Sequence, residues 1–171
     1  MDSQLRYDNY PAWVVIISNL NQALLYGIGS IVLYRLGLIF FLLYLAYILV
    51  LEFRLIKDHC ADCYYWGKTC GFGRGRLSAV FFKKGETSRF CVKSMTWKDL
   101  ASDMMVSLIP LVAGIVLMLI KFDLLLLVSV IMIFLLTTMG NAFVRGSLAC
   151  RYCRQRDLGC PAEKLFNKRD K

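Results

Sequence analysis

The sequence predicts an all-α integral membrane protein. Four transmembrane helices form two tandem hairpins, each followed by a cytoplasmic Cys-rich segment, so that the halves make a parallel pseudo-repeat. Three observations lead there. Apolar residues fill 58% of the 171 positions and the mean hydropathy is +0.55, too apolar for a soluble fold with a polar skin. Four runs carry no charge, at 11–34 (24 residues), 36–51 (16), 104–120 (17) and 124–144 (21). One thiol spacing, Cys-x2-Cys-x6-Cys, occurs twice, as "CADCYYWGKTC" at 60–70 and "CRYCRQRDLGC" at 150–160, each just past an apolar run.

A helix rises about 1.5 Å per residue and the hydrocarbon core is about 30 Å thick, so roughly 20 residues span it. The first and fourth runs reach that length. The second and third fall short, and snorkelling flanks or slight local thinning make up the difference. Arg35 alone separates the first pair of runs and Lys121-Phe122-Asp123 the second, which reads as two tight turns. Asn19, Asn21 and Gln22 interrupt the first run. Uncharged polar residues cost far less in a membrane than charges, so this run is expected to span rather than to lie along the interface over 12–22. With Thr137, Thr138 and Asn141 they are expected to hydrogen-bond between helices. No small-residue cleavage pattern follows the first run, which reads as a retained membrane helix. Trp13 and Trp97 mark the two helix entries at interface level. Thr96 with Asp99 suggests a capping box, and Asp103 belongs near the headgroups.

The net charge of +9 is unevenly spread. Ten Lys or Arg residues lie between Arg54 and Lys98, eight follow Val144, and only Arg6, Arg35 and Lys121 remain for the leader and the turns. Basic loops resist translocation, so the leader, the central loop and the tail are expected in the cytoplasm. An interfacial first segment would leave an odd helix count and split the two thiol triads across the bilayer, against this charge distribution. The domain division is 1–53 (leader and first hairpin), 54–98 (basic Cys-rich loop), 99–144 (second hairpin) and 145–171 (basic Cys-rich tail), in a multi-pass protein of the cell membrane. The basic surface suits anionic lipid headgroups, at about 1 kcal/mol per residue, rather than nucleic acid. Residues 77–84, "LSAVFFKK", read as a short interfacial anchor. The alternating glycines and arginines of 71–76 match neither a dinucleotide nor a P-loop fingerprint and are read as a bend around a ligand set.

The seven cysteines, Cys60, Cys63, Cys70, Cys91, Cys150, Cys153 and Cys160, all lie outside the charge-free runs, and the single histidine, His59, adjoins the first. In a reducing cytoplasm such thiols are ligands or redox centres rather than structural disulfides. A CxxC turn lets two thiolates face one ion, at about 2.3 Å for zinc. The metal set is therefore Cys60, Cys63, Cys70, Cys150, Cys153 and Cys160, with Cys91 and His59 as additional ligands. Either the CxxC pairs share one four-thiolate site, or each triad recruits a fourth donor. Zinc is the first expectation and an iron-sulfur cluster the alternative. Four membrane helices with cysteine pairs resemble in outline the quinone-linked disulfide-forming proteins of the bacterial membrane and the vitamin K epoxide reductases. Those families keep their CxxC at a helix end or toward the exoplasmic face, so no residue role carries over. The expected function is a structural or interaction subunit of a membrane assembly built around a cysteine metal site, with other membrane subunits as partners. The alternative is a membrane redox protein carrying an iron-sulfur cluster or reactive thiols that exchanges electrons with a lipid-soluble carrier. One histidine excludes bis-His haem ligation and no catalytic base stands in a recognisable motif, so enzymatic activity is not the first expectation.

Overall fold

The computed structural model describes residues 6–92 and 97–160, and of Ser88, 91–92 and 97–100 the backbone only. The described chain is helical, with a single isolated bridge between Tyr7 and Cys153. Helix α1 covers Ala12–Leu36, α2 Leu38–Leu55, α3 Arg74–Phe81, α4 Thr87–Val92, α5 Trp97–Ile120 and α6 Leu124–Leu135. α2 continues through a π-helical turn, Ile56–Cys60, and α6 through two more, Leu136–Gly140 and Ala142–Ala149. Four stretches are long and apolar enough to cross a membrane: Ala12–Leu36 (25 residues), Leu38–Cys60 (23), Ala101–Ile120 (20) and Leu124–Ala149 (26). All four reach the length a bilayer requires. The runs that look short in the sequence gain length because charged residues at their ends, Glu52 and Arg54 in α2 and Asp103 in α5, stay helical.

Gly37 closes α1 and opens α2. Its φ of +143° suits glycine alone, and its carbonyl accepts from Phe41 N–H at 3.2 Å. Asp123 caps α6, its side chain accepting from Leu125 N–H at 2.9 Å, and pairs with Arg35 at 3.3 Å. This ion pair joins the α1–α2 turn to the α5–α6 turn. Thr96, the expected cap of α5, lies outside the described residues.

Two compact units result. One gathers the described residues of Met1–Ser18, Phe53–Trp97 and Val144–Lys171, and the other comprises Asn19–Glu52 and Lys98–Phe143. In the second unit α1 is central. Leu25 and Val32 pack with Leu126 and Ile133 of α6, and Leu33 packs with Tyr44 and Ile48 of α2 and Val106 of α5. Gly29 sits where a Cβ would come within 2.6 Å of Tyr44 Oη and 3.2 Å of Pro110, so only glycine permits this approach of three helices. Tyr44 Oη donates to Val106 O at 2.7 Å and Tyr47 Oη to Ser102 O at 2.9 Å. Asn21 lies against Gly140, whereas Thr138 turns back on its own helix and donates to Phe134 O at 2.7 Å. The outer faces stay apolar and uncovered, as at Ile39 (72% exposed) and Leu119 (81%), which suits hydrocarbon as the surrounding medium.

Candidate functional site

The six described cysteines all belong to the first unit, and local backbone geometry presents them alike in both halves. The membrane-length helix before each triad feeds it through an i→i+5 bond, Ala61 N–H to Ile56 O at 3.2 Å and Cys150 N–H to Arg145 O at 2.9 Å. A turn follows in which the second Cys donates to the first, Cys63 N–H to Cys60 O at 3.4 Å and Cys153 N–H to Cys150 O at 3.3 Å. The second carbonyl then accepts from three residues on, Trp66 N–H at 3.0 Å and Arg156 N–H at 3.2 Å. The main-chain N–H of Tyr65 is directed at the Cys63 sulfur, and those of Gln155 and Arg156 at the Cys153 sulfur. An N–H aimed at sulfur favours the thiolate, the form that binds metal, although burial outweighs this at both sulfurs.

The two turns are bonded to each other. Gln155, 2% exposed, accepts from Tyr64 N–H at 2.8 Å through Oε1, and the same oxygen lies 3.8 Å from Cys63 Sγ. Tyr65 Oη accepts from Arg154 N–H at 3.0 Å and donates to Tyr7 O at 2.6 Å. Cys63 and Cys153, 90 positions apart in the sequence, thereby share one apolar cluster around Tyr10, Val14, Tyr65 and Leu148, against which Cys70 also packs. Without Gln155 the half-buried main-chain N–H of Tyr64 would lose its partner.

The leader, from which the sequence suggests no part in the site, is its clasp. Tyr7 N–H donates to Tyr152 O at 3.2 Å, and Tyr10 N–H to Thr69 O at 2.9 Å. Tyr10 Oη donates to Ala149 O, and Asp8 receives both Tyr64 Oη at 2.6 Å and the Arg154 guanidinium. Arg6 pairs with Asp157 at 2.9 Å. The Tyr64 hydroxyl and the Arg154 charge hold the Asp8 carboxyl below its ordinary range. Tyr7, Tyr10, Tyr64, Tyr65 and Tyr152 form a chain of ring contacts with centroids 5.2–5.7 Å apart. The one available sign of this in the sequence is the tyrosine pair just before the first apolar run, echoing tyrosines beside both CxxC turns.

Burial sets the chemistry of the thiols. It pushes Cys63 up to about 12, helped by the neighbouring Cys153, Cys60 and Cys70, and Cys153 up to about 11, helped by Cys150 and Cys160. It raises the Tyr10 and Tyr65 hydroxyls as well. Neutral, half-buried thiols are slow nucleophiles. Cys60, Cys70 and Cys160 are half-buried and Cys150 is exposed. His59 stands on the π-turn before Cys60, with its ring edge-on to Phe90 at 6.3 Å. Phe90 precedes Cys91 in α4, so the backbone carries that cysteine next to the first triad's entry, while its side chain lies outside the described residues. Among the described residues no three His, Cys, Asp or Glu side chains converge to hold one ion. The donor chemistry thus suits a thiophilic metal, and the side chains as described are not closed around one. No protein-family model, no curated protein and no solved structure matches the chain.

Proposed function

We propose that the protein is a multi-pass membrane subunit whose two tandem hairpins deliver their Cys-rich segments to the cytoplasmic face, where cysteines of both triads hold a metal, zinc in the first instance, and clamp the halves together. One observation carries this reading. The same turn, with main-chain N–H groups directed at the second sulfur, occurs in both halves, and Gln155 and Tyr65 bond the two turns to each other. Structural zinc sites use such thiolate pairs and contribute directly to folding energy. Cys60, Cys63, Cys150 and Cys153 supply four ligands, Cys70 and Cys160 stand behind them, and Cys91 and His59 are the further donors. The ion pair between the two turns supports the hairpin arrangement, and the basic central loop and tail support the cytoplasmic orientation. The module then serves as a scaffold for other membrane subunits.

The test is anaerobic purification from membranes followed by metal analysis and a visible spectrum. Stoichiometric zinc without colour is expected. Iron with a broad visible band replaces zinc by an iron-sulfur cluster and the scaffold by electron exchange with a lipid-soluble carrier, and absence of metal overturns both in favour of reversible thiol chemistry. Serine at Cys60, Cys63, Cys150 or Cys153 is expected to release the metal, and serine at Cys91 to release less. Equal loss at Cys91 divides the thiols into two sites. Labelling of these cysteines only from the cytoplasmic side is expected, and labelling from the outside overturns the orientation.

A further inference from the structure

We infer that a groove beside the last turns of α2, walled by Trp66 and residues 79–84, binds an anionic phospholipid of the adjoining leaflet. This site is independent of the thiol centre and survives if that centre holds no metal. The groove is open along one side and has a volume of about 310 Å³. Its level follows from a ring contact: Phe82 meets Phe53 of α2 edge-on, with centroids 5.5 Å apart. Phe53 follows the charge-free run by one residue, Glu52, and precedes Arg54, so the contact marks the boundary where hydrocarbon gives way to headgroups. Trp66 donates its indole N–H to Phe82 O at 3.2 Å. The indole is thereby fixed with its polar edge satisfied, in the zone where such rings are favoured.

Around this boundary α3 leaves apolar side chains uncovered. Val80 is 77% exposed and Phe81 66%, although Ser78 on the same short helix is fully buried. Lys83 and Lys84 follow directly and both are exposed. None of the ion pairs among the described residues engages either lysine. Two exposed cations at the mouth of an apolar groove at headgroup depth match one ligand chemistry, an acyl chain attached to a phosphate of net negative charge. A zwitterionic lipid offers the chain without the net charge, and a soluble phosphate offers the charge without the chain.

The full-length chain with Trp13→Phe and Trp97→Phe keeps Trp66 as its single indole. It is reconstituted in phosphatidylcholine vesicles containing, at equal mole fraction, either brominated phosphatidylglycerol or brominated phosphatidylcholine. Trp66 emission is expected to be quenched by both, with an apparent affinity roughly thirtyfold higher for the anionic lipid, as two lysines at a membrane surface supply. Lys83→Gln with Lys84→Gln, both on exposed positions, is expected to bring that ratio to one while quenching persists. Equal quenching by the two lipids in the unsubstituted lysine background overturns the proposal. So does absence of quenching by either, or relief of quenching by inorganic phosphate, which would mark a water-facing anion site.

Discussion

Pro110 has no main-chain N–H, so the carbonyl four residues earlier, that of Val106, lacks its helical donor inside a segment without water. Tyr44 Oη supplies the missing donor at 2.7 Å, from a residue that is itself 2% exposed. Removing the hydroxyl by Tyr44→Phe is expected to cost about 1–3 kcal/mol, the penalty for a buried acceptor left bare. Pro110→Ala restores the N–H within α5, so the cost of Tyr44→Phe should shrink in that background. Reversible unfolding in detergent of the four members of this cycle measures the coupling, and additive effects would show that the hydroxyl does not compensate the proline. None of this pairing is legible in the sequence. A proline in an apolar run is visible, but nothing along the chain indicates which of nine tyrosines answers it, because the partner stands 62 positions away.

At the scale of elements, four long apolar helices were readable because charge interrupts the apolar runs at few places, and their lengths were not. Charge absence ends the second run at Leu51, yet α2 carries on through Glu52 and Arg54, since charges at headgroup level do not stop a helix. The inward stripe of α1 was equally hidden. Val14, Ser18, Asn21, Leu25, Gly29 and Val32 recur at steps of three and four and are all buried. Lipid accepts the opposite face with equally apolar residues, so no amphipathic contrast marks the stripe. Its small members have a direct test. Gly29→Ala meets Tyr44 and Pro110 and is expected to destabilise by about 1–3 kcal/mol through overpacking. Gly27, with nothing within 4 Å of its would-be Cβ, is expected to accept alanine with no loss and a gain of up to about 1 kcal/mol. Thermal denaturation of the two variants in the same detergent separates a packing requirement from a general intolerance of α1.

In the whole molecule, the repeated thiol spacing pointed to two like turns, and only the tyrosine pair before the first apolar run hinted that the leader joins them. Tyr65 shows the economy of that arrangement, since one hydroxyl ties the leader at Tyr7, the first turn and the second turn at Arg154. Tyr65→Phe is expected to weaken the module by about 1–3 kcal/mol and to speed alkylation of Cys153 several-fold without exposing Trp66. Unchanged alkylation would mean that Gln155 and Asp8 suffice. The clasp also orders events in time. Arg6, Asp8 and Tyr10 find their partners at Asp157, Arg154 and Ala149, sequence separations of 139 to 151. A nascent chain therefore carries a half-closed clasp until residues near 157 have left the ribosome, with Tyr7 and Tyr10 held only by Tyr65 and Thr69 while α6 is being made.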